Sequence, residues 1–251
     1  MGMVFFVGFV YFLVKKMFKK EMIWPMVALF FLGGIQGAIG WFMVKSGLVP
    51  EKYFVGHIEL TTHFIAALGL LCYTLWFALS LLITPQQKIV NPSIKKWLTV
   101  ILLVLVVQLV YGGFMAGLRA AVAAPTWPDI NGYLIPRFMN ELSPAVKNFV
   151  YNPIAIHFIH RGLAYLLFVM ILVWWFKSKS INGQKLFARL RTSVLALVIL
   201  QVVLGILTVL NATHANRLVF LGVAHQFTAM VLVMVLVCLL FIVRKKPVLV
   251  S

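Results

Sequence analysis

Charged residues are scarce in this chain, and acidic residues are the scarcest of them. Only 11% of the 251 residues are charged, five are Asp or Glu, and 63% are hydrophobic. A composition this apolar excludes an ordinary soluble domain and indicates an integral membrane protein of the helical type. The apolar runs do not alternate and are longer than barrel strands, so the sequence also excludes a transmembrane β-barrel.

Familiar catalytic motifs are missing as well. The sequence contains no P-loop, no H-E-x-x-H, no G-x-S-x-G and no paired Asp-rich motif of a prenyl-diphosphate enzyme. Its two cysteines, Cys72 and Cys238, lie inside apolar runs without a C-x-x-C neighbour, so we expect buried packing thiols. Any chemistry must therefore come from polar side chains within or beside the membrane.

What the chain does have is a series of seven apolar stretches. Most of them approach the roughly 20 residues that a helix needs to cross a bilayer, and the first is short. We predict spans near residues 2–14, 23–44, 58–82, 97–118, 153–176, 191–211 and 218–243. The loops between them are short except for the proline-rich outer segment 119–152, and loops of that length are often functional.

The basic residues predict how the chain lies in the membrane. Fifteen of the 22 lie in or beside four segments on one side, Lys15–Lys20, Lys88–Lys96, Lys177–Arg191 and Arg244–Lys246. By the positive-inside rule that side faces the cytoplasm, which explains the net charge of +17 without nucleic acid as a partner. We expect a multi-pass protein of the bacterial inner membrane with a cytoplasmic C-terminus, and the mitochondrial inner membrane is the alternative.

Three histidines lie inside predicted spans. His63, His160 and His225 are each about two helical turns below the outer side. An ionisable side chain is costly in hydrocarbon, so each should have a partner or a function. Imidazole ligates iron, and His160 and His225 lie at the same depth on helices that enter from the same side. They therefore predict a bis-histidine haem b, and hydrogen bonding within the bundle is the alternative.

Other polar residues near the outer side offer similar alternatives. His63 at the matching depth is either a further iron ligand or a hydrogen-bonded helix histidine. Arg161, next to His160, is a candidate partner for a haem propionate. Arg119, Trp127 and Lys45 lie in the same layer, where they either anchor the chain at the interface or hold the carboxylates of a haem.

A short pattern recurs along the chain. Gln36-x-x-x-Gly40 and Gln201-x-x-x-Gly205 each lie one span before an intramembrane histidine, and Gln108-x-x-x-Gly112 is a third copy. Small residues allow helices to approach closely, and Gln can form a hydrogen bond across the interface. The repeat predicts an all-α integral membrane protein built from two pseudo-symmetric four-helix bundles.

The repeat also predicts the domain organisation. Residues 1–84 plus 97–118 would form the N-terminal half-bundle, 119–152 the outer loop and 153–243 the C-terminal part of the second half-bundle. The boundary between the halves stays open between 84–96 and 119–152. Alignment of Lys15 with Lys177 places the counterpart of His160 before Met1. We therefore expect the first half to lack its first helix and part of its second.

Six strings of residues carry a resemblance to a known family. They are GWFMVKSGL (40–48), YGGFMAGLRA (111–120), TWPDING (126–132), HFIHRGLAYLL (157–167), LQVVLGILT (200–208) and LGVAHQFTA (221–229). Together they resemble the haem A synthase family over residues 2–243. The resemblance implies oxidation of the C8 methyl of haem O to a formyl group, for assembly of terminal oxidases. It places haem b at His160 and His225 and the substrate haem O at His63.

The resemblance leaves the catalytic residue unknown. The family's essential glutamate and its other N-terminal histidine, in an E-x-x-H-R-like motif, have no match in this sequence. We therefore expect weak or no synthase activity from the chain as written. The implied partners are haem O, the lipid bilayer, haem O synthase, an electron donor or acceptor, and a second copy of the chain. The alternatives are a b-type membrane cytochrome and a haem-handling assembly factor without chemistry.

Overall fold

A computed structural model describes residues 2–181 and 183–244. The described part is almost entirely helical, with long helices connected by short helical turns and loops. The nine helices in these ranges are α1 Gly2–Val14, α2 Lys20–Lys45, α3 His57–Leu82, α4 Pro92–Gly117, α5 Ala120–Ala123, α6 Asn148–Tyr151, α7 Pro153–Ser178, α8 Lys185–Leu210 and α9 Ala215–Ile242.

Six of these helices, α2, α3, α4, α7, α8 and α9, are long and apolar enough to cross a membrane. The protein is therefore a multi-pass membrane protein, as the composition predicts. The first predicted span corresponds to α1, a shorter apolar helix of 13 residues. Helix α8 begins six residues before the predicted span 191–211, because its first turns carry Lys185, Arg189 and Arg191 and extend beyond the apolar stretch.

Asparagine caps fix the starts of two long helices. Helix α4 begins at Pro92, and Asn91 is its N-cap residue. The Asn91 side chain accepts a hydrogen bond from the Ile94 N–H at 3.0 Å. Pro153 begins α7 behind Asn152, whose side chain accepts from the N–H groups of Ile154 and Ala155. Proline at the first helical position and asparagine at the cap both favour initiation there. The start of α7 sets the depth of His160.

The chain divides into two compact units, Met1–Leu81 and Leu82–Ser251. In the first unit, α1 packs on α2 through phenylalanine rings, with the centroids of Phe6 and Phe30 5.7 Å apart. Neither α1 nor α2 has a buried residue, and α3 has three, Thr61, Leu68 and Leu79. This unit is thus a loosely covered set of helices with apolar surfaces suited to lipid.

The second unit has a denser core. Helix α8 packs along α9, and α4 packs along α7 and also contacts α9. Side chains with at most 1% exposure fill the space between them, among them Leu98, Ile101, Ile171, Trp174 and Leu236. Because α4 packs on α7, the structure places residues 97–118 with the second unit. This differs from their expected place in the N-terminal half. The two units divide between Leu81 and Leu82, just before segment 84–96, the first of the two segments in which the boundary was expected.

Two short strands pair at one end of the second unit. Ile89–Val90 pairs in parallel with Val243–Arg244, and the Asn91 N–H donates to the Arg244 carbonyl at 3.0 Å. The Lys95 ammonium donates to the Leu240 carbonyl at the end of α9. These contacts attach the segment before α4 to the end of α9. The two cysteines are free and half-buried rather than fully buried, since each helix is only partly covered by protein.

Candidate functional site

Three intramembrane histidines occupy the same local arrangement, which we call the Gln-Gly-His cradle. In each cradle, a Gln and a Gly one helical turn apart face the histidine of a neighbouring helix, since residues i and i+4 share a helix face. The three cradles are Gln36-Gly40 with His63, Gln108-Gly112 with His160, and Gln201-Gly205 with His225.

The cradle of the first unit joins α2 to α3. The Gln36 Nε2 lies 3.1 Å from Nδ1 of His63 and also donates to the His63 carbonyl at 3.0 Å. A Cβ atom at Gly40 would lie 2.9 Å from Cε1 of the imidazole. The imidazole of His63 can therefore lie against the α2 backbone only because Gly40 has no side chain.

The two cradles of the second unit use the same contacts. The Gln201 Nε2 lies 3.2 Å from Nε2 of His225, and a Cβ at Gly205 would lie 3.0 Å from Cε1 of that ring. The Gln108 Nε2 lies 3.4 Å from Nε2 of His160. A Cβ at Gly112 would lie 3.5 Å from Cε1 of that ring, so this contact is looser.

The third Gln-x-x-x-Gly pattern pairs with His160 in the structure. This pattern has no histidine partner in the sequence-based prediction. Gln108 on α4 meets His160 on α7, 52 residues later, because α7 is the next long helix after the outer loop. The signal was present in the sequence, since the histidine again follows on the next long apolar helix. The long intervening loop concealed it.

The rings of His160 and His225 lie close together. Their centroids are 6.5 Å apart and their planes differ by 69°. A transition-metal ion lies about 2 Å from each imidazole nitrogen that binds it, so rings on opposite sides of one ion have centroids roughly 6 Å apart. The Nδ1 atoms of both rings are buried without a hydrogen-bond partner among the described residues. The pair is therefore compatible with two axial ligands of one haem iron.

Space and polarity beside the pair also suit a large ligand. Gly222, one turn before His225, has no heavy atom within 4 Å of the place where a Cβ would stand. The side-chain oxygens of Gln108 and Gln201 are buried without a partner among the described residues. The described residues contain no group of three or more His, Cys, Asp or Glu that could hold a metal ion. The candidate site thus depends on two histidines and their cradles.

Arg161 connects this region to the outer loop. Its guanidinium donates to the carbonyls of Thr126, Pro128 and Asp129 and, through Nε, to Nε2 of His157 at 3.0 Å. Among the described residues, these four bonds leave one of the five N–H groups of the guanidinium for a carboxylate. His157 is fully buried, and its Nε2 accepts the hydrogen bond from Arg161. The cradle glutamines contact His160 and His225 instead.

The loop that Arg161 holds is a self-bonded turn. The Gly132 N–H donates to the Asp129 carboxylate at 2.8 Å, and the Asn131 N–H donates to the Thr126 hydroxyl at 2.8 Å. The hydrogen bond from Gly132, followed by that from Thr126, lowers the pKa of Asp129 below its usual 3.8. Gly132 has φ +84, a conformation that favours glycine. The TWPDING string is therefore a turn with its own internal hydrogen bonds.

The remaining predicted binding residues lie at helix ends. Lys45, at the end of α2, holds its ammonium 3.8 Å from the Trp41 ring centroid. Arg119 precedes α5 in a left-handed backbone conformation, with φ 53 and ψ 36. Trp127 is 40% exposed in the outer turn. His63 and Lys45 belong to the first unit, and Arg119, Trp127, Arg161, His160 and His225 belong to the second.

Comparison with known proteins identifies the family. Residues 1–237 match the COX15-CtaA family, described as cytochrome oxidase assembly protein. The chain belongs to this family. It is 33% identical over 237 residues to haem A synthase of Nitrosospira multiformis, which covers 92% of the chain and 64% of that relative. It is 34% identical over 232 residues to haem A synthase of Flavobacterium johnsoniae, with 91% and 66% covered.

A third COX15-CtaA relative matches a longer part of the chain. Haem A synthase from a Wolbachia of Brugia malayi is 32% identical over 248 residues, 98% of the chain and 70% of that relative. The chain thus spans about two thirds of the length of the curated relatives that it matches. The resemblance inferred from the six strings is confirmed at the level of the family, and the strings include the glycines of all three cradles.

Proposed function

We propose that this COX15-CtaA protein holds a haem b between His160 and His225 and takes part in haem A biosynthesis as a membrane oxidoreductase. The observation that carries the proposal is the paired imidazoles, with centroids 6.5 Å apart and each ring held by a glutamine and a glycine. Relatives named haem A synthase support the reaction class. The reaction proposed is the four-electron oxidation of the C8 methyl of haem O to a formyl group. The methyl carbon gains one oxygen atom, and the electrons pass to an electron acceptor.

The bound haem would supply one-electron redox chemistry, and the protein would supply binding, orientation and exclusion of water. His160 and His225 would hold it through their imidazoles. Arg161 would hold the outer turn over the pair and use its remaining N–H for a propionate. The closely packed α4, α7, α8 and α9 would exclude water around the ligands.

The substrate haem O would be bound through His63, with Lys45 of the same unit as the candidate for its polar edge. Arg119 and Trp127, in the second unit, are candidates for haem carboxylates there. Lys45 and Arg119 are cations at the ends of apolar helices, where they suit carboxylates at the membrane interface. We further propose that the two units descend from one four-helix bundle, since Gln36-Gly40-His63 and Gln201-Gly205-His225 repeat the same contacts.

The basic residues support an inner-membrane location with a cytoplasmic C-terminus. The histidine pair then lies toward the outer face. Haem O synthase as the source of substrate, an electron donor or acceptor, and a second copy of the chain are the proposed partners.

The test is a haem spectrum of the full chain purified in detergent from a host that makes haem O. His160→Ala and His225→Ala should each lose the low-spin b signal, because an axial ligand is removed. His214→Ala is the matched control, since His214 is exposed before α9. Full low-spin signals in both ligand variants would contradict the site. Extracted haem A or a hydroxylated haem O supports the reaction, whereas unchanged haem O is expected from a cytochrome, from a carrier and from a chain with weak synthase activity.

A further inference from the structure

We propose that Gln108 and Gln201 are positioning residues that fix the His160 and His225 rings and tune how strongly those rings donate electrons to iron. This rests on the proposed haem b site and extends it to two residues on different helices from the ligands. The same arrangement occurs at His63, so the pairing is a recurring device of this fold.

Gly205 and Gln201 fix the position of the His225 ring against α8. From a Cβ built at Gly205, the distances to the His225 ring are 3.0 Å to Cε1, 3.6 Å to Nδ1 and 3.8 Å to Nε2. The edge that carries both nitrogens therefore faces α8. One turn earlier on the same helix face, the Gln201 amide reaches Nε2 at 3.2 Å. The glycine brings the ring close to α8, and the glutamine holds one nitrogen.

In each cradle of the second unit, a ring nitrogen and the glutamine oxygen are both buried without a partner among the described residues. A half-turn of the amide exchanges its oxygen and nitrogen at nearly the same positions, so the oxygen can accept a ring N–H. The Nδ1 atom of each ring would then bind the metal, and the ring's Nε2–H would donate to the glutamine oxygen. Both orphaned atoms gain a partner in that arrangement.

A ligating histidine usually donates its second N–H to an acceptor, which orients the ring and raises its basicity. A more basic ligand stabilises oxidised iron over reduced iron. Loss of the glutamine oxygen should therefore raise the reduction potential of the haem, and a stronger acceptor should lower it.

The experiment is a redox titration of the full chain with bound haem, followed optically. Gln201→Leu and Gln108→Leu should each raise the midpoint potential, shifting the ratio of oxidised to reduced haem at fixed potential by about fivefold. They should also weaken haem retention by about tenfold, the usual effect of losing such a partner. Gln201→Glu provides a stronger acceptor and should lower the potential below that of the unchanged chain.

Gln184→Leu is the control, because it makes the same change at the residue before α8, outside the three cradles. It should leave the midpoint potential of haem b unchanged. A purely structural role for Gln201 would move the Leu and Glu variants in the same direction, and that result would overturn the inference. Potentials equal to those of the unchanged chain in both Leu variants would overturn it as well. If one Leu variant does not fold, the other decides.

Failure of the underlying site gives a different result. If His225→Ala keeps the low-spin b spectrum, the proposed haem site is wrong whatever the glutamine variants do. If His225→Ala loses that spectrum while both Leu variants keep the original potential, the haem site stands and only the role of the glutamines is wrong.

Discussion

The two units of this protein contain the same Gln-Gly-His cradle in very different surroundings. In the first unit, α2 carries Gln36 and Gly40 without a single buried residue. In the second, α9 carries His225 and nine buried residues. The cradle is therefore a property of one helix pair and does not require a dense core. Dense packing is what the second unit adds, by bringing two cradles together so that His160 and His225 face each other.

The difference in packing predicts the largest effect. Trp174 on α7 is 0% exposed, whereas Trp24 on α2 is 78% exposed. Trp174→Ala should lower the free energy of unfolding by about 3–5 kcal/mol, because it leaves a cavity. Trp24→Ala should change it by about 0.5 kcal/mol or less. Unfolding in detergent, followed by circular dichroism, measures both. Equal losses would show that the two units are packed alike.

The outer turn predicts the next effect. Arg161 donates to the carbonyls of three residues of the turn, and hydrogen bonds from charged groups contribute about 1.5–3 kcal/mol each. Arg161→Gln should raise hydrogen exchange of residues 126–132 at least about tenfold, since the turn loses its attachment to α7. Arg137→Gln is the control, because Arg137 stacks on Tyr133 outside these bonds. Unchanged exchange in Arg161→Gln would mean that the turn holds itself in place.

Alanine at the cradle glycines sharpens the comparison between units. The added Cβ would meet the ring at 3.0 Å in Gly205→Ala and at 3.5 Å in Gly112→Ala. Gly205→Ala should therefore cost about 1–3 kcal/mol and reduce haem content severalfold, while Gly112→Ala should be nearly neutral. Gly40→Ala meets its ring at 2.9 Å but should cost less than Gly205→Ala, because the exposed α2 can shift.

Haem content per chain and the unfolding free energy provide the readout for these three variants. A loss in Gly112→Ala as large as that in Gly205→Ala would contradict the steric explanation, since of these two glycines Gly205 alone lacks the space for a Cβ. A loss in Gly40→Ala as large as that in Gly205→Ala would mean that α2 is held as firmly as α8.

The smallest expected effect is a pH dependence at the outer turn. The pKa of Asp129 is lowered in the folded state, so its carboxylate stabilises the fold above the unfolded value of 3.8. This stabilisation is lost as the pH falls through the lower folded value. The unfolding free energies of the unchanged chain and of Asp129→Asn should therefore differ slightly at pH 5–7 and converge as the pH falls below 3.8. A difference that grows on acidification would contradict the hydrogen bonds from Gly132 and Thr126.

Composition and hydropathy predicted the six long helices well, because crossing a bilayer fixes both their length and their apolar character. The pairing of Gln36 with His63 and of Gln201 with His225 was also predictable, since each pair lies on consecutive helices. Contacts across long separations were not predictable in this way. Gln108 meets His160 only after the outer loop, and Arg161 bonds to backbone carbonyls, which leave no mark in the sequence.

The membership of α4 shows the same limit. Residues 97–118 were expected in the N-terminal half, yet α4 packs on α7 and α9, and residues 89–91 before it attach to the end of α9. Hydropathy marks a helix but not its neighbours. The free cysteines also proved half-buried, because helix surfaces meant for lipid need no protein cover.

The proposed haem b site requires imidazoles of both α7 and α9 as ligands of one iron. Low-temperature electron paramagnetic resonance of the oxidised full chain tests it most directly. The account predicts a low-spin bis-histidine signal that becomes high-spin in both His160→Ala and His225→Ala and survives in His63→Ala. A low-spin signal that persists in either second-unit variant, or that disappears only in His63→Ala, would contradict it.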